Sequence, residues 1–248
     1  MRNKLSKFIY PVLSVIFWIA IWHIISSGVK MEFVFPRLDK TAIEFFNLAL
    51  SRSFWTTIFA SVLRISLGFA LGALFGILLA PLTNYVPLVR AIISPMMTVI
   101  KSTPVASFIL VLWCLIGKAS VPTVISILMV MPIVWQNLTD GYRSISTSLS
   151  EVCDIFEVSR VKKFKLLIFP TLIKYLLPAL VTSSALAWKS GVAAEIIVYA
   201  KNSIGKEITD AKNLFESEKM FAWTIAVILL SVLIEFSIKR LAGRVKKI

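Results

Sequence analysis

Apolar runs long enough to cross a lipid bilayer recur along this chain, and no other feature limits its fold so sharply. A helix rises about 1.5 Å per residue, so a hydrocarbon layer about 30 Å thick takes about 20 mostly apolar residues. Six segments reach that length, at about 9–29, 57–80, 95–117, 120–138, 176–199 and 220–238. At 58% hydrophobic and 16% charged, the chain carries more apolar surface than a soluble core of 248 residues can hide. The expected fold is all-α, a polytopic membrane helical bundle of about six transmembrane helices.

MRNKLSK precedes the first run, and a basic start before an apolar stretch is also how a cleaved signal begins. Pro11, the bulky Trp18 and Trp22 and the lack of an A-x-A-like site point instead to a retained helix. Lys and Arg in loops stay on the cytoplasmic side during insertion. With the N-terminus inside, the inner segments hold 15 of them, among them Arg2, Lys4, Lys246 and Lys247, and the outer ones 9, Lys30 included. Both termini are expected in the cytoplasm. The +14 balance then reads as topology and attraction to anionic membrane lipid. Basic residues flank the spans without aromatic interleaving, which argues against nucleic acid. Cys114, in the third run, and Cys153, in an inner loop, read as small apolar fillers, too distant in topology for a disulfide and too few for a metal site. Residues 1–54 read as an N-terminal transmembrane helix with an external segment, 55–240 as one membrane core and 241–248 as a basic cytoplasmic tail.

GFALGALFG in the second run places Gly68, Gly72 and Gly76 on one helix face, where another helix can approach closely. Tight packing within the chain fits this spacing better than dimerisation. Arg64 lies one turn earlier on that face and must meet protein or water. In the third run Pro95 and Pro104 flank Lys101, predicting a bent or broken helix. That bend is either a packing kink or the lining of an aqueous path. The fifth run, AWKSGVAAEII, holds Lys189 and Glu195 about 120° and about 9 Å apart on a helix, so they do not neutralise each other directly. Each meets another helix or a water-filled cavity, as a buried anchor or as a working group.

Residues 148–170, SLSEVCDIFEVSRVKKFKLLIFP, are polar and basic between two oily stretches. Ser148 and Glu151 form an S-x-x-E capping box at a helix start. Leu149, Val152, Cys153 and Phe156 form one apolar stripe opposite Glu151 and Asp154. A second helix is predicted from Ser159, with Val161, Phe164 and Ile168 on one side, stopping at Pro170. Such a helix-turn-helix can lie on lipid, but Glu151, Asp154 and Glu157 would be repelled by an anionic surface. An apolar groove on a protein partner suits it better.

This segment resembles the EAA loop of permease subunits in binding-protein-dependent ABC importers. Its pattern is E-A-A, three residues, glycine, nine residues, then I-x-L-P. Glu151, Val152 and Cys153 take the E-A-A places and Leu167 to Pro170 the I-x-L-P places, with matching spacing. Glu157 stands where the family has glycine, so a wider turn is expected, since a non-glycine residue at positive φ is strained. SVLRISLGFALGALFGILLAPL, WCLIG and AWKSGVAAEIIVYAKNSIGKEITDAKNLF are similar to the nitrate, sulfonate and taurine branch, over about residues 55–240.

The resemblance implies a five-helix core preceded by an extra helix, with two copies enclosing the substrate path. It implies a loop, with Glu151, Val152, Cys153, Asp154, Phe156, Glu157, Ser159 and Pro170, that seats in a groove of a cytoplasmic ATPase, and an extracellular or periplasmic binding protein. No G-x-x-x-x-G-K-[ST] occurs, so ATP and magnesium are expected on a partner ATPase in two copies and no cofactor on this chain. Arg64, Lys101, Pro104, Trp113, Trp188, Lys189 and Glu195 are the candidates for the translocation path. The cargo implied is a small anion such as a sulfonate, taurine or nitrate, or a vitamin precursor. One self-complementary permease copy is the simpler partner, with a heterodimer as the alternative. An ion-coupled secondary transporter using Glu195 and Lys189 is the rival reading, although no inverted repeat accompanies it. An intramembrane enzyme is a third, with His23 the sole histidine and no evident nucleophile.

Overall fold

The computed structural model describes residues 5–28 and 34–245, and among them the regular structure is entirely helical. Arg2, Lys4, Lys30, Lys246 and Lys247, counted in the charge balance above, lie outside the described residues, as do residues 246–248 of the basic tail. In chain order the helices are α1 (Leu5–Gly28), α2 (Leu38–Leu50), α3 (Arg52–Tyr85), α4 (Pro87–Ser102) and α5 (Val105–Ile116). They continue with α6 (Val121–Arg143), α7 (Thr147–Ile155), α8 (Arg160–Lys163), α9 (Phe169–Val198), α10 (Ile204–Asn213) and α11 (Ser217–Val245).

Among the described residues, four helices are long and apolar enough to cross a membrane: α3, α6, the continuous run Arg160–Val198 and α11. The pair α4 and α5 passes only together and is bent by 108°, which makes up to five. The first apolar run forms α1, whose stretch Val12–Gly28 is shorter than the others. It is stapled to the bundle by Trp22, whose ring meets Phe35 at 5.3 Å and Phe221 of α11 at 5.5 Å.

The core is α3 against α6, with α9 against both. Gly68, Gly72 and Gly76 make that approach possible, because a Cβ at Gly68 would stand 2.5 Å from the Thr123 carbonyl oxygen and one at Gly72 2.9 Å from that of Ile127. The glycine stripe is therefore an intramolecular seam. Trp135 of α6 donates its indole N–H to Thr83 Oγ1 of α3 at 2.9 Å, fixing the register of the pair at the far end. Buried Val130, Val134 and Ile125 fill the seam.

The bend in the third run falls at Thr103 and Pro104, while helix continues through Pro95. Pro104 supplies no N–H to continue the ladder, and Ser107 N starts the next helix by donating to the Pro104 carbonyl at 3.0 Å. The helix after the 148–170 turn does not stop at Pro170. It widens into a π-helical turn over Phe164–Ile168 and runs on into α9. Proline clashes with the carbonyl four residues back, and the wider i→i+5 turn before it gives that carbonyl room.

Candidate functional site

Helix α7 begins at Ser146, whose Oγ accepts from Leu149 N at 3.3 Å. The cap lies two residues before the expected Ser148 because Ser146, in extended conformation, already reaches the third helical amide. At the other end Glu157 adopts φ +48°. Val158 N donates to Cys153 O at 2.8 Å and Glu157 N to Asp154 O at 3.1 Å, which together make a Schellman motif with Glu157 in the left-handed position. The turn is thus as tight as a glycine would make it, and the expected wider turn is not formed. Two hydrogen bonds offset a backbone cost of about 1–2 kcal/mol for a residue with a Cβ.

Lys163 of α8 donates to Asp154 Oδ1 at 2.7 Å and to the Ser150 carbonyl at 3.3 Å, tying the second helix onto the first. An apolar patch is left outward. Ile155 and Phe156 are 76% and 75% exposed, and Leu149, Val152 and Val161 are exposed around them. Glu151 and Ser159 are also exposed, Cys153 is half-buried and Pro170 lies on the continuing helix. Ile155 is missing from the stripe read in the sequence because it sits one step off the 3.6-residue repeat, and only the short exposed helix end brings it beside Phe156.

At the opposite end of α9 two of the span charges, Arg64 and Glu195, meet. Glu195 is fully buried and accepts from Arg64 Nη1 at 2.7 Å and from Ser61 Oγ at 2.9 Å, both on α3. Arg64 also donates to the Lys201 carbonyl at 3.3 Å. Ser61 Oγ in turn accepts from Ile204 N at 3.0 Å, and Gly205 N reaches Glu195 Oε2 at 3.4 Å. The N-terminus of α10 therefore aims its free amides and the positive end of its dipole at the carboxylate. The cluster joins α3, α9 and α10.

The remaining path candidates fall in three places. Lys101 is exposed beside the bend, at the rim of a cavity of about 400 Å³ lined also by Thr103, Val105, Leu128, Met129 and Leu186. Pro104 caps α5 at that bend, and Trp113 lies further along α5, with the Lys118 ammonium 5.3 Å from its ring centre. Lys189 is exposed in a groove against α11, where Glu235 and Lys239 also line the wall. Trp188, beside it, is buried and donates to the Val227 carbonyl at 3.1 Å, anchoring α9 to α11. Lys189 and Glu195 thus have separate surroundings.

Residues 72–247 match the family model described as binding-protein-dependent transport system inner membrane component. The chain belongs to this family. The match covers Gly72 and Gly76 of the seam, the bend, the α7–α8 turn and Glu195. Among curated proteins the chain is 25% identical to the putative aliphatic sulfonates transport permease SsuC of Bacillus subtilis, over 92% of this chain and 83% of that one. It is 26% identical to the nitrate import permease NrtB of Synechocystis, over 86% of this chain and 82% of the other. A probable ABC transporter permease of Haemophilus influenzae is 26% identical across 98% of both chains.

In fold, this permease is similar to a chain of an amino acid ABC transporter (TM-score 0.61, 14% identity), over 83% of this chain and 96% of that one. It is likewise similar to the inward-facing MetNI methionine transporter (TM-score 0.59, 16% identity), over 77% of this chain and 93% of the other. The protein is a multi-pass inner-membrane permease of an ABC importer, in the nitrate, sulfonate and taurine branch. Neither rival reading finds support in these relatives, and the one candidate coupling carboxylate, Glu195, already has an arginine, a serine and an amide as partners.

Proposed function

We propose that the α7–α8 hairpin of this permease seats in a groove of a cytoplasmic ATPase that binds ATP and magnesium, so that closure of two ATPase copies moves two permease copies between inward- and outward-open states. One observation carries the reading: an ordered amphipathic hairpin, closed by the Glu157 turn and the Lys163–Asp154 bridge, that leaves Ile155, Phe156 and Val161 outward at the membrane end. An apolar helix face of this kind gains most by entering a protein groove. This end is the cytoplasmic one, both termini lie on its side, and the α10 end faces the binding protein that delivers cargo.

Lys101 and the groove lysines favour an anionic cargo, in keeping with what the relatives' names say those proteins carry, while a vitamin precursor fits the same branch. A homodimer is the simpler assembly. The test is co-purification of the permease with its ATPase, comparing wild type with Glu151→Ala and Phe156→Asp. Retention by wild type and release by the variants, with the membrane part still folded, supports the docking role. Equal retention by all three would remove the hairpin as the dock.

A further inference from the structure

The groove between α9 and α11 sets its lysines beside an apolar wall, and the transport reading gives that wall no role. Two cavities open side by side along it, of about 630 and about 470 Å³, sharing Val181, Thr182 and Lys239. Lys174 lines the first and Lys189 the second, with Glu235 opposite. Lys174, Val181, Thr182 and Lys189 fall on one face of α9, and Glu235, Lys239 and Ala242 on one face of α11. The Trp188 to Val227 hydrogen bond ties α9 to α11, and Lys189, Thr182 and Lys239 line the second cavity together. The Cα–Cβ bond tilts toward a helix's N-terminus, and the two helices run antiparallel, so the Lys189 and Lys239 stems lean toward each other, over Thr182.

Charge in this groove is unbalanced. Glu235 pairs with Lys239, while among the described residues neither Lys174 nor Lys189 has an ion-pair partner. The rest of the wall, Leu177, Pro178, Val181 and Ala185, is hydrocarbon. Lys174, Lys189 and Lys239 against the single Glu235 carboxylate leave excess positive charge beside an apolar wall, which is costly and calls for a counter-charge. We propose that the α9–α11 groove binds an amphiphilic anion, a single oxyanion head group held by Lys189 and Lys239 with a hydrocarbon tail along Leu177 and Val181. Basic pockets between transmembrane helices take lipid head groups in this manner, and a soluble alkyl anion offers the same chemistry. Only that second source rests on the transport reading.

The test uses the purified full-length permease, without any ATPase, so its outcome is independent of the docking experiment. Phosphatidylglycerol and phosphatidylcholine of equal chain length are titrated while melting temperature and retained lipid, by native mass spectrometry, are followed. Expected is saturable binding of phosphatidylglycerol over phosphatidylcholine. Lys189→Gln with Lys239→Gln is expected to weaken it at least about tenfold, the scale of one charge-assisted contact. Exposed Lys165→Gln, remote from the groove, leaves it unchanged, and Glu235→Gln, which frees Lys239, tightens it severalfold. Displacement of the lipid by hexanesulfonate but not by sulfate assigns the site to a soluble amphiphile, and no displacement assigns it to lipid. Equal binding of the two lipids, or wild-type affinity in a double variant that melts normally, overturns the proposal.

Discussion

Arg64 Nη1 and Glu195 Oε1 lie 2.7 Å apart, an ion pair between helices whose partners are 131 residues apart in sequence. Glu195 is completely buried, whereas the Arg64 side chain keeps 19% exposure. Removing one partner of a buried pair leaves the other charge without compensation, which costs about 3–5 kcal/mol in fully buried cases. Glu195→Ala is expected to destabilise the permease by about 3 kcal/mol, Arg64→Ala by less because arginine still reaches water, and the double variant by less than the sum. Thermal melts of the four proteins in one detergent check this, and strict additivity would show that the pair does not couple the helices.

Gly205 packs against α9 with no space for a side chain, since a Cβ there would stand 2.4 Å from Ile196 N and 2.5 Å from the Glu195 Cβ. Both obstacles are backbone or rooted in it, so the contact yields only if α10 moves off α9. Gly205→Ala is expected to cost about 1–3 kcal/mol and to lengthen the Gly205 amide contact with Glu195. Gly28→Ala, where nothing lies within 4 Å, is the control and is expected to melt as wild type.

Glu157 holds φ +48° at the end of α7, a position that glycine occupies without steric cost. Glu157→Gly is expected to slow hydrogen exchange of the α7 amides by about fivefold, an increment of about 1 kcal/mol in local stability. Glu157→Val, β-branched in the same conformation, is expected to speed it. No change in either variant would mean that the turn relaxes without the left-handed residue.

Hydrogen bonds from Lys206 and Tyr199 hold the Asp210 carboxyl below its ordinary value of 3.8. A carboxylate whose folded value is depressed stabilises the fold above its unfolded value and loses that contribution as pH falls through the folded one. The α10 end is therefore expected to loosen as pH drops below about 4, measured by hydrogen exchange of Lys206 to Asn213. The effect is modest, under about 1 kcal/mol, because the pair is partly exposed. Asp210→Asn is expected to remove this part of the acid response and leave the neutral-pH melt almost unchanged.

Much of this permease is legible along the chain because the relevant rules are local. Span length follows from rise per residue against bilayer thickness, which is why α3, α6 and α11 lie where the apolar runs do. The four-residue glycine spacing specifies a flat face on α3, and the exposed α7 is written in the alternation of Leu149, Val152 and Phe156 with charge. Boundaries set by competing local signals were harder. Ser146 and Ser148 are equally good caps in isolation, and Pro170 stops a helix unless a π turn precedes it.

The class of fold, the glycine face of α3 and the family resemblance can be read along the chain, because each is a pattern within one helix or one loop. That Glu195 meets Arg64, that Trp188 is an anchor and that Lys189 and Lys239 share a groove is visible once the helices are packed. Those pairings depend on the register between helices far apart in sequence. That register is set by the summed packing of the glycine seam and the aromatic anchors, which no local period encodes.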